Sequence, residues 1–161
     1  MLTKNFYSYM RAAFQETSAE FTKTDGTKKT THIADDKPPF KQMNTGVSFG
    51  TGTTPATASD YQLESTLNST QITVSNPSAV SYSRGDTYEE YSVTFGITNK
   101  TAEAITISEV GLTAAPYYSS SGTTSVYVLV DRTVLDTPVT IPAGQSKQIT
   151  YTIRFNYGDT V

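Results

Sequence analysis

Along residues 88–99 the chain alternates without a break. Tyr91, Val93, Phe95 and Ile97 stand on one side, and Ser92, Thr94, Gly96 and Thr98 on the other. A period of two marks a half-buried β-strand. The period returns at Ile149, Tyr151, Ile153 and Phe155, which predicts a last strand. Val126–Leu135 is apolar on both faces near its centre and reads as a central strand. Shorter strands are predicted at Val47–Phe49, Ile72–Val74 and Thr137–Ile141. Between Ile105 and Leu112 the phase slips, because Ile105 and Ile107 are out of step with Val110 and Leu112. A β-bulge near Glu109 would produce that slip, and Gly111 suits it. Asn76-Pro77, Asn99-Lys100 and Pro142-Ala143-Gly144 punctuate the strands with turn chemistry, and Tyr82–Asp86 reads as loop.

The period changes at the N-terminus. Leu2, Phe6, Tyr9, Met10, Ala13 and Phe14 recur every three or four residues, predicting an amphipathic helix over residues 1–16 with Thr3 as its N-cap. Residues 17–45 are polar. Asp25-Gly26 could close a two-residue hairpin between Glu20–Thr24 and Thr27–Ile33, and Pro38-Pro39 then forces extended backbone. Further on, Ser59 or Asp60 caps a short turn or helix carrying Tyr61, Leu63 and Leu67. Seven or eight short strands with no long helix between them predict an all-β antiparallel β-sandwich, immunoglobulin-like or jelly roll. The sandwich occupies residues 46–161, and residues 1–45 form a short N-terminal helix and an extended arm.

Composition narrows the functional classes. A formal net charge of −3 over 161 residues lacks the basic footprint of a nucleic-acid binder. The chain has no cysteine, which removes disulfides, thiolate zinc sites and cysteine nucleophiles. No apolar run approaches the ~18 residues of a membrane span, and the opening residues lack the apolar segment of an export signal. The expectation is synthesis in the cytoplasm with no membrane partner.

Candidate chemistry is sparse. The single histidine, His32, sits in the polar arm, so a Ser–His–Asp arrangement would have to use a solvated side chain. Of the paired carboxylates, Asp35-Asp36 lies in the arm, and Glu89-Glu90 points to opposite faces of a strand. Asp60 and Glu64 could share one face of a short helix. Gly50-Thr51-Gly52 lacks the further glycines and Lys-Ser/Thr of a phosphate loop and reads as a tight turn. Arg84-Gly85-Asp86 reads as turn chemistry around glycine. No catalytic residue, cofactor or metal site is expected. Two sets of contact residues stand out. The helix stripe of Phe6, Tyr9, Met10 and Phe14 packs either on its own domain or on a neighbouring subunit. Tyr117 and Tyr118 open a Ser/Gly-rich loop, which is good recognition material.

One resemblance emerges from motifs in a fixed order. Phe49-Gly-Thr-Gly52-Thr-Thr-Pro55 precedes Ser59-Asp60 and Leu63. Ile107-Ser-Glu109-Val-Gly111-Leu112 follows, then Leu129-Val-Asp-Arg132-Thr-Val-Leu135, Pro138-Val-Thr-Ile141-Pro-Ala-Gly144 and Ile149-Thr-Tyr-Thr-Ile153. This arrangement, covering roughly residues 46–155, resembles a group of small tailed-bacteriophage virion structural proteins. The resemblance implies a non-enzymatic subunit, either a capsid decoration or a head–tail (neck or collar) attachment protein. A tail-tip or fibre host-recognition module is the alternative. It also implies other virion proteins as partners (major capsid, portal, neck or tail), a homo-oligomer in the particle, and assembly in the host bacterial cytoplasm. The group brings no catalytic residues with it.

Overall fold

The computed structural model describes residues 1–15, 18–33, 46–75, 77, 79–117 and 126–156. Among these residues one helix, α1 (Lys4–Gln15), precedes nine strands. They are β1 (Ala19–Thr22), β2 (Lys28–Thr31), β3 (Val47–Gly50), β4 (Ile72–Val74), β5 (Ser81–Arg84), β6 (Tyr88–Asn99), β7 (Ile105–Tyr117), β8 (Val126–Ile141) and β9 (Ser146–Asn156). The fold is all-β and sandwich-like, as the strand spacing predicts.

One sheet runs β3-β7-β8. In the other, β4 and β5 lie in tandem along one edge of β6, and β9 lies along the opposite edge. All pairings are antiparallel. The alternation in β6 and β9 sets which side faces the core. Phe95 stands opposite Ile149 and Val93 opposite Tyr151, all four buried. Phe49 of the facing sheet meets Phe95 edge-on, with ring centroids 5.6 Å apart, a favoured aromatic geometry. On the wet face the same register brings hydroxyls together: Ser92 with Thr152 at 2.9 Å, Thr94 with Thr150 at 2.8 Å, and Thr98 with Ser146 at 2.7 Å. The Ser and Thr residues of β6 and β9 are placed on a face that water and cross-strand hydroxyl pairs satisfy.

The N-terminal elements close the core. Phe6, Tyr9 and Ala12 of α1 and Ala19 and Phe21 of β1 belong to one continuous apolar cluster with Phe49, Phe95, Val128 and Val130. Asn5 fixes α1 to β1, donating from Nδ2 to the Thr22 carbonyl and accepting from the Thr22 N–H, each at 2.8 Å. Residues 1–3 add to the outer edge of β8. Thr3 donates its N–H to the Val130 carbonyl at 3.0 Å, and Arg132 donates its N–H to the Met1 carbonyl at 3.0 Å. The Met1 ammonium lies 3.1 Å from Asp131, which also accepts the Tyr151 hydroxyl at 2.6 Å. Desolvation, reinforced by the charge of Asp131, pushes the Tyr151 hydroxyl well above its usual pKa. The expected boundary after residue 45 and the Pro38-Pro39 arm fall outside the described residues.

The structure corrects several local expectations. Ser81–Arg84 is a strand and not a loop. Its residues are all exposed, so only pairing to β6 reveals it. Val126–Leu135 and Thr137–Ile141 form one continuous strand, because Asp136-Thr137-Pro138 stays extended. The slip near Glu109 is present, as a register shift between Ile107 and Glu109. Most of the additional residues lie on the β8 side, since Ile107 pairs with Val139 and Glu109 with Val134. Within the β1–β2 connection, Thr24-Asp25-Gly26 form a three-residue loop closed by a bond from the Lys23 N–H to the Thr27 carbonyl. Gly26 sits at φ 82°, which a three-residue hairpin loop requires at its last position. Thr3 occupies the position before α1, but its hydroxyl donates to the Leu129 carbonyl at 2.6 Å and caps no helical N–H. Asp60 caps a turn with no helix after it, accepting from the Thr57 N–H at 2.9 Å.

Candidate functional site: a buried carboxylate–guanidinium clamp

The described residues that carry the most concentrated chemistry surround Arg132. It lies in the middle of β8 and is only 3% exposed, and Glu109 in the middle of β7 is 0% exposed. Two charges taken this far from water persist only when paired and fully hydrogen-bonded. Arg132 Nε donates to Glu109 Oε2 at 2.8 Å, and its Nη1 donates to Asp60 Oδ2 at 2.8 Å. Nη2 reaches the Thr54 carbonyl at 3.1 Å and Glu64 Oε2 at 3.5 Å. The fork of the guanidinium thus spans three carboxylates that a lysine could not hold together.

Glu109 in turn collects backbone donors from the long β3–β4 connection. It accepts from the N–H groups of Gly52 at 3.1 Å, Glu64 at 3.1 Å and Ser65 at 2.7 Å. A Cβ at Gly52 would stand 2.5 Å from Glu109 Oε1, so only glycine lets the backbone come this close. Beside the clamp, Leu63 packs over Gly111, where a Cβ would meet Leu63 Cδ2 at 2.7 Å and Leu129 Cδ1 at 2.9 Å. The connection is thereby fastened across the outer face of the β3-β7-β8 sheet. That is why Ser108, Glu109, Val110 and Leu112 are all buried, on both faces of one strand.

The protonation states follow from these partners. Desolvation raises the Asp60 carboxyl, but the Thr57 N–H, the Arg132 guanidinium and the Thr57 hydroxyl outweigh it and hold the group below its ordinary value. The Thr54 hydroxyl and N–H lower Glu64 in the same direction. A general acid needs its pKa raised. Asp60 and Glu64 are shifted the other way, and both are tied to Arg132, an arrangement suited to fastening. A depression of about 340 Å³ opens above them, lined by Thr54, Leu63 and Arg132 among others.

These shifts carry a pH prediction. A depressed carboxyl contributes stability that is complete above its ordinary pKa, here 3.8 for Asp60 and 4.5 for Glu64. That stability is lost as pH falls through the lower, folded values. The urea midpoint should therefore hold steady down to about pH 5 and fall below it, and Asp60→Asn should flatten the acid limb.

The other residues singled out by the sequence lie elsewhere. Phe6 and Tyr9 face the core and Met10 is partly buried against it, whereas Phe14 is 80% exposed. Tyr7, unmarked by the helical stripe, is 60% exposed on the same helix. Tyr117 ends β7 opposite Val126, while its side chain and all of Tyr118 fall outside the described residues. His32 is exposed just beyond β2, and Asp35-Asp36 fall outside the described residues. Glu89 accepts the Tyr82 hydroxyl, and Glu90 binds Arg154, so the pair serves two faces as its spacing predicts. Arg84-Gly85-Asp86 begins the β5–β6 turn, with the Gly85 N–H donating to the Tyr88 carbonyl.

The pairing of Glu109 with Arg132 is not among the expectations the sequence supports by spacing alone. The signal was there in principle: a lone acid inside an apolar β7 segment and a lone guanidinium inside an apolar β8 segment. Comparison with protein-family models, with curated proteins and with solved structures finds no match to the chain.

Proposed function

We propose that the chain is a non-enzymatic structural subunit of a tailed-bacteriophage virion, acting as a capsid decoration or a head–tail attachment protein. One observation carries the reading. The motif residues of the resemblance, among them Gly52, Thr54, Asp60, Leu63, Glu109, Gly111 and Arg132, lie up to 78 positions apart in the contacts they make. In space they form one clamp. Short motifs that are weak one at a time become a single physical unit, and their joint presence is harder to obtain by chance. Their roles are packing and fastening, which fits a group of proteins that share a scaffold. Phe14 and Tyr7 on the outer side of α1 supply exposed aromatic surface of the kind protein contacts use.

Quantitative mass spectrometry of purified particles tests the proposal. A copy number matching the capsid lattice assigns the chain to the head, and one matching the rotational symmetry of the neck assigns it to the head–tail junction. Absence from particles overturns the virion reading.

A further inference from the structure

The sandwich has four long-sheet edges, and three of them are closed by recognisable devices. The outer edge of β3 is covered by the connection that follows it: Leu67 donates its N–H to the Phe49 carbonyl and Thr51 to the Ser65 carbonyl. The outer edge of β8 is covered by residues 1–3 and by the Thr24 N–H on the Tyr127 carbonyl, and Pro138 interrupts it further along. The β4/β5 edge is broken into segments of three and four residues. Short strands, prolines and covering segments are the usual ways an edge is kept from pairing with another chain.

The fourth edge has none of them. β9 runs for 11 residues, Ser146 to Asn156, with no proline, no glycine and no register shift against β6. Among the described residues nothing pairs with its outer side. Its two charges stand near the ends, and Arg154 is folded back over its own sheet. There it bonds Glu90 at 2.8 and 2.6 Å and lies 4.3 Å from the centre of the Tyr88 ring. It therefore does not guard the edge.

The ladder shows which groups are on offer. Gly96 gives its carbonyl to the Ser75 N–H, on the β4 side, and Lys100 gives its N–H to the Gln71 carbonyl on that side too. Asn99 points its N–H the opposite way, to the Gln145 carbonyl beside β9. Odd-numbered residues of β6 thus bond to β9, and the even-numbered pairs, among them Gly96↔Gln148, Thr94↔Thr150, Ser92↔Thr152 and Glu90↔Arg154, have no ladder bonds. It follows that Gln148, Thr150, Thr152 and Arg154 direct their backbone N–H and C=O groups outward.

We propose that β9 pairs antiparallel with β9 of a second copy of this chain, about a two-fold axis at Tyr151, joining two β6–β9 sheets into one. The occupant is argued from self-complementarity. In the register that overlaps the whole strand, Thr150 stands opposite Thr152 of the partner subunit and Gln148 opposite Arg154 of the partner subunit. Ile149 faces Ile153 of the partner subunit, and no like charges oppose each other. The Thr/Ser pairing of the wet face continues across the junction, and Ile149 and Ile153, 9% and 8% exposed, gain apolar neighbours. An isologous contact of this kind closes on itself and leaves neither β9 edge exposed. The inference is independent of the virion reading.

The test is the oligomeric state of the full chain by sedimentation velocity across a concentration series, with three variants at Gln148, which is exposed and makes no side-chain bond among the contacts described above. The wild type forms a concentration-dependent dimer. Gln148→Lys sets two like-charge pairs against Arg154 and weakens the dimer about tenfold, and Gln148→Glu tightens it about threefold. Gln148→Pro removes an outward N–H that the β6–β9 ladder does not use, and abolishes the dimer. All three keep the circular dichroism of the wild-type monomer. A wild type that stays monomeric at the highest concentration overturns the inference. So does a dimer that ignores these substitutions, which would use another surface.

Discussion

Arg132→Leu will destabilise the domain by about 3–5 kcal/mol, the range measured when one member of a buried ion pair is removed. The substitution keeps the apolar bulk of the side chain. It leaves Glu109, 0% exposed, as an uncompensated buried charge with Asp60 and Glu64 close by. In a domain of this length the loss amounts to a fall in Tm of about 6–20 °C. Adding Glu109→Gln in the Arg132→Leu background should return about 1–2 kcal/mol. The neutral amide still accepts from one or two of the Gly52, Glu64 and Ser65 N–H groups without the charge. Arg132→Lys will fall in between, because an ammonium cannot span Glu109, Asp60 and the Thr54 carbonyl at once. Urea titrations of the four proteins give the answer. If Arg132→Leu matches the wild type, the clamp holds nothing.

Removing residues 1–45 will leave a fragment that does not fold cooperatively. Phe6, Tyr9 and Phe21 together bury apolar surface at about 1.5–3 kcal/mol per ring, against a total stability of about 5–15 kcal/mol for a domain. Tyr9 and Phe21 pack edge-on at 5.3 Å, and Phe6 stacks on Phe155 at 6.2 Å, so the strands lose inner partners along with the helix. The deletion also uncovers the Val130 carbonyl and Arg132 N–H on the edge of β8. Phe21→Ala isolates the packing part and should cost about 3–5 kcal/mol. Near-ultraviolet circular dichroism and a urea melt of residues 46–161 decide the matter. A sharp transition at the full-length midpoint would show that the helix and hairpin are dispensable.

What the sequence disclosed and what it hid divide along physical lines. β6 and β9 were readable because one wet face and one dry face impose a period of two on neighbouring residues. The helix was readable for the same reason, with its own period. β5 was hidden because every one of its residues is exposed, and its strand conformation comes from pairing with β6 alone. The length of β8 was hidden by Pro138, which a strand tolerates where its neighbour does not need the missing N–H. The clamp was the hardest to see. Asp60, Glu64, Glu109 and Arg132 sit on different elements, and pairing them requires the register of β7 on β8 and the path of the β3–β4 connection. Neither leaves a local pattern. The motif residues were legible one at a time, and their common purpose was visible only in three dimensions.

The clamp also sets an order of events during synthesis. The chain leaves the ribosome N-terminus first, so the connection bearing Gly52, Asp60 and Glu64 emerges long before Arg132. Until β8 has been made, Glu109 can gather the N–H groups of Gly52, Glu64 and Ser65 but has no cation, and Leu63 has no Leu129 beside it. Closure over such sequence separations is slow, since chain entropy is spent before any contact rewards it. The nascent chain therefore carries Glu109 and the acidic Asp60 and Glu64 without their shared cation until β8 has been made.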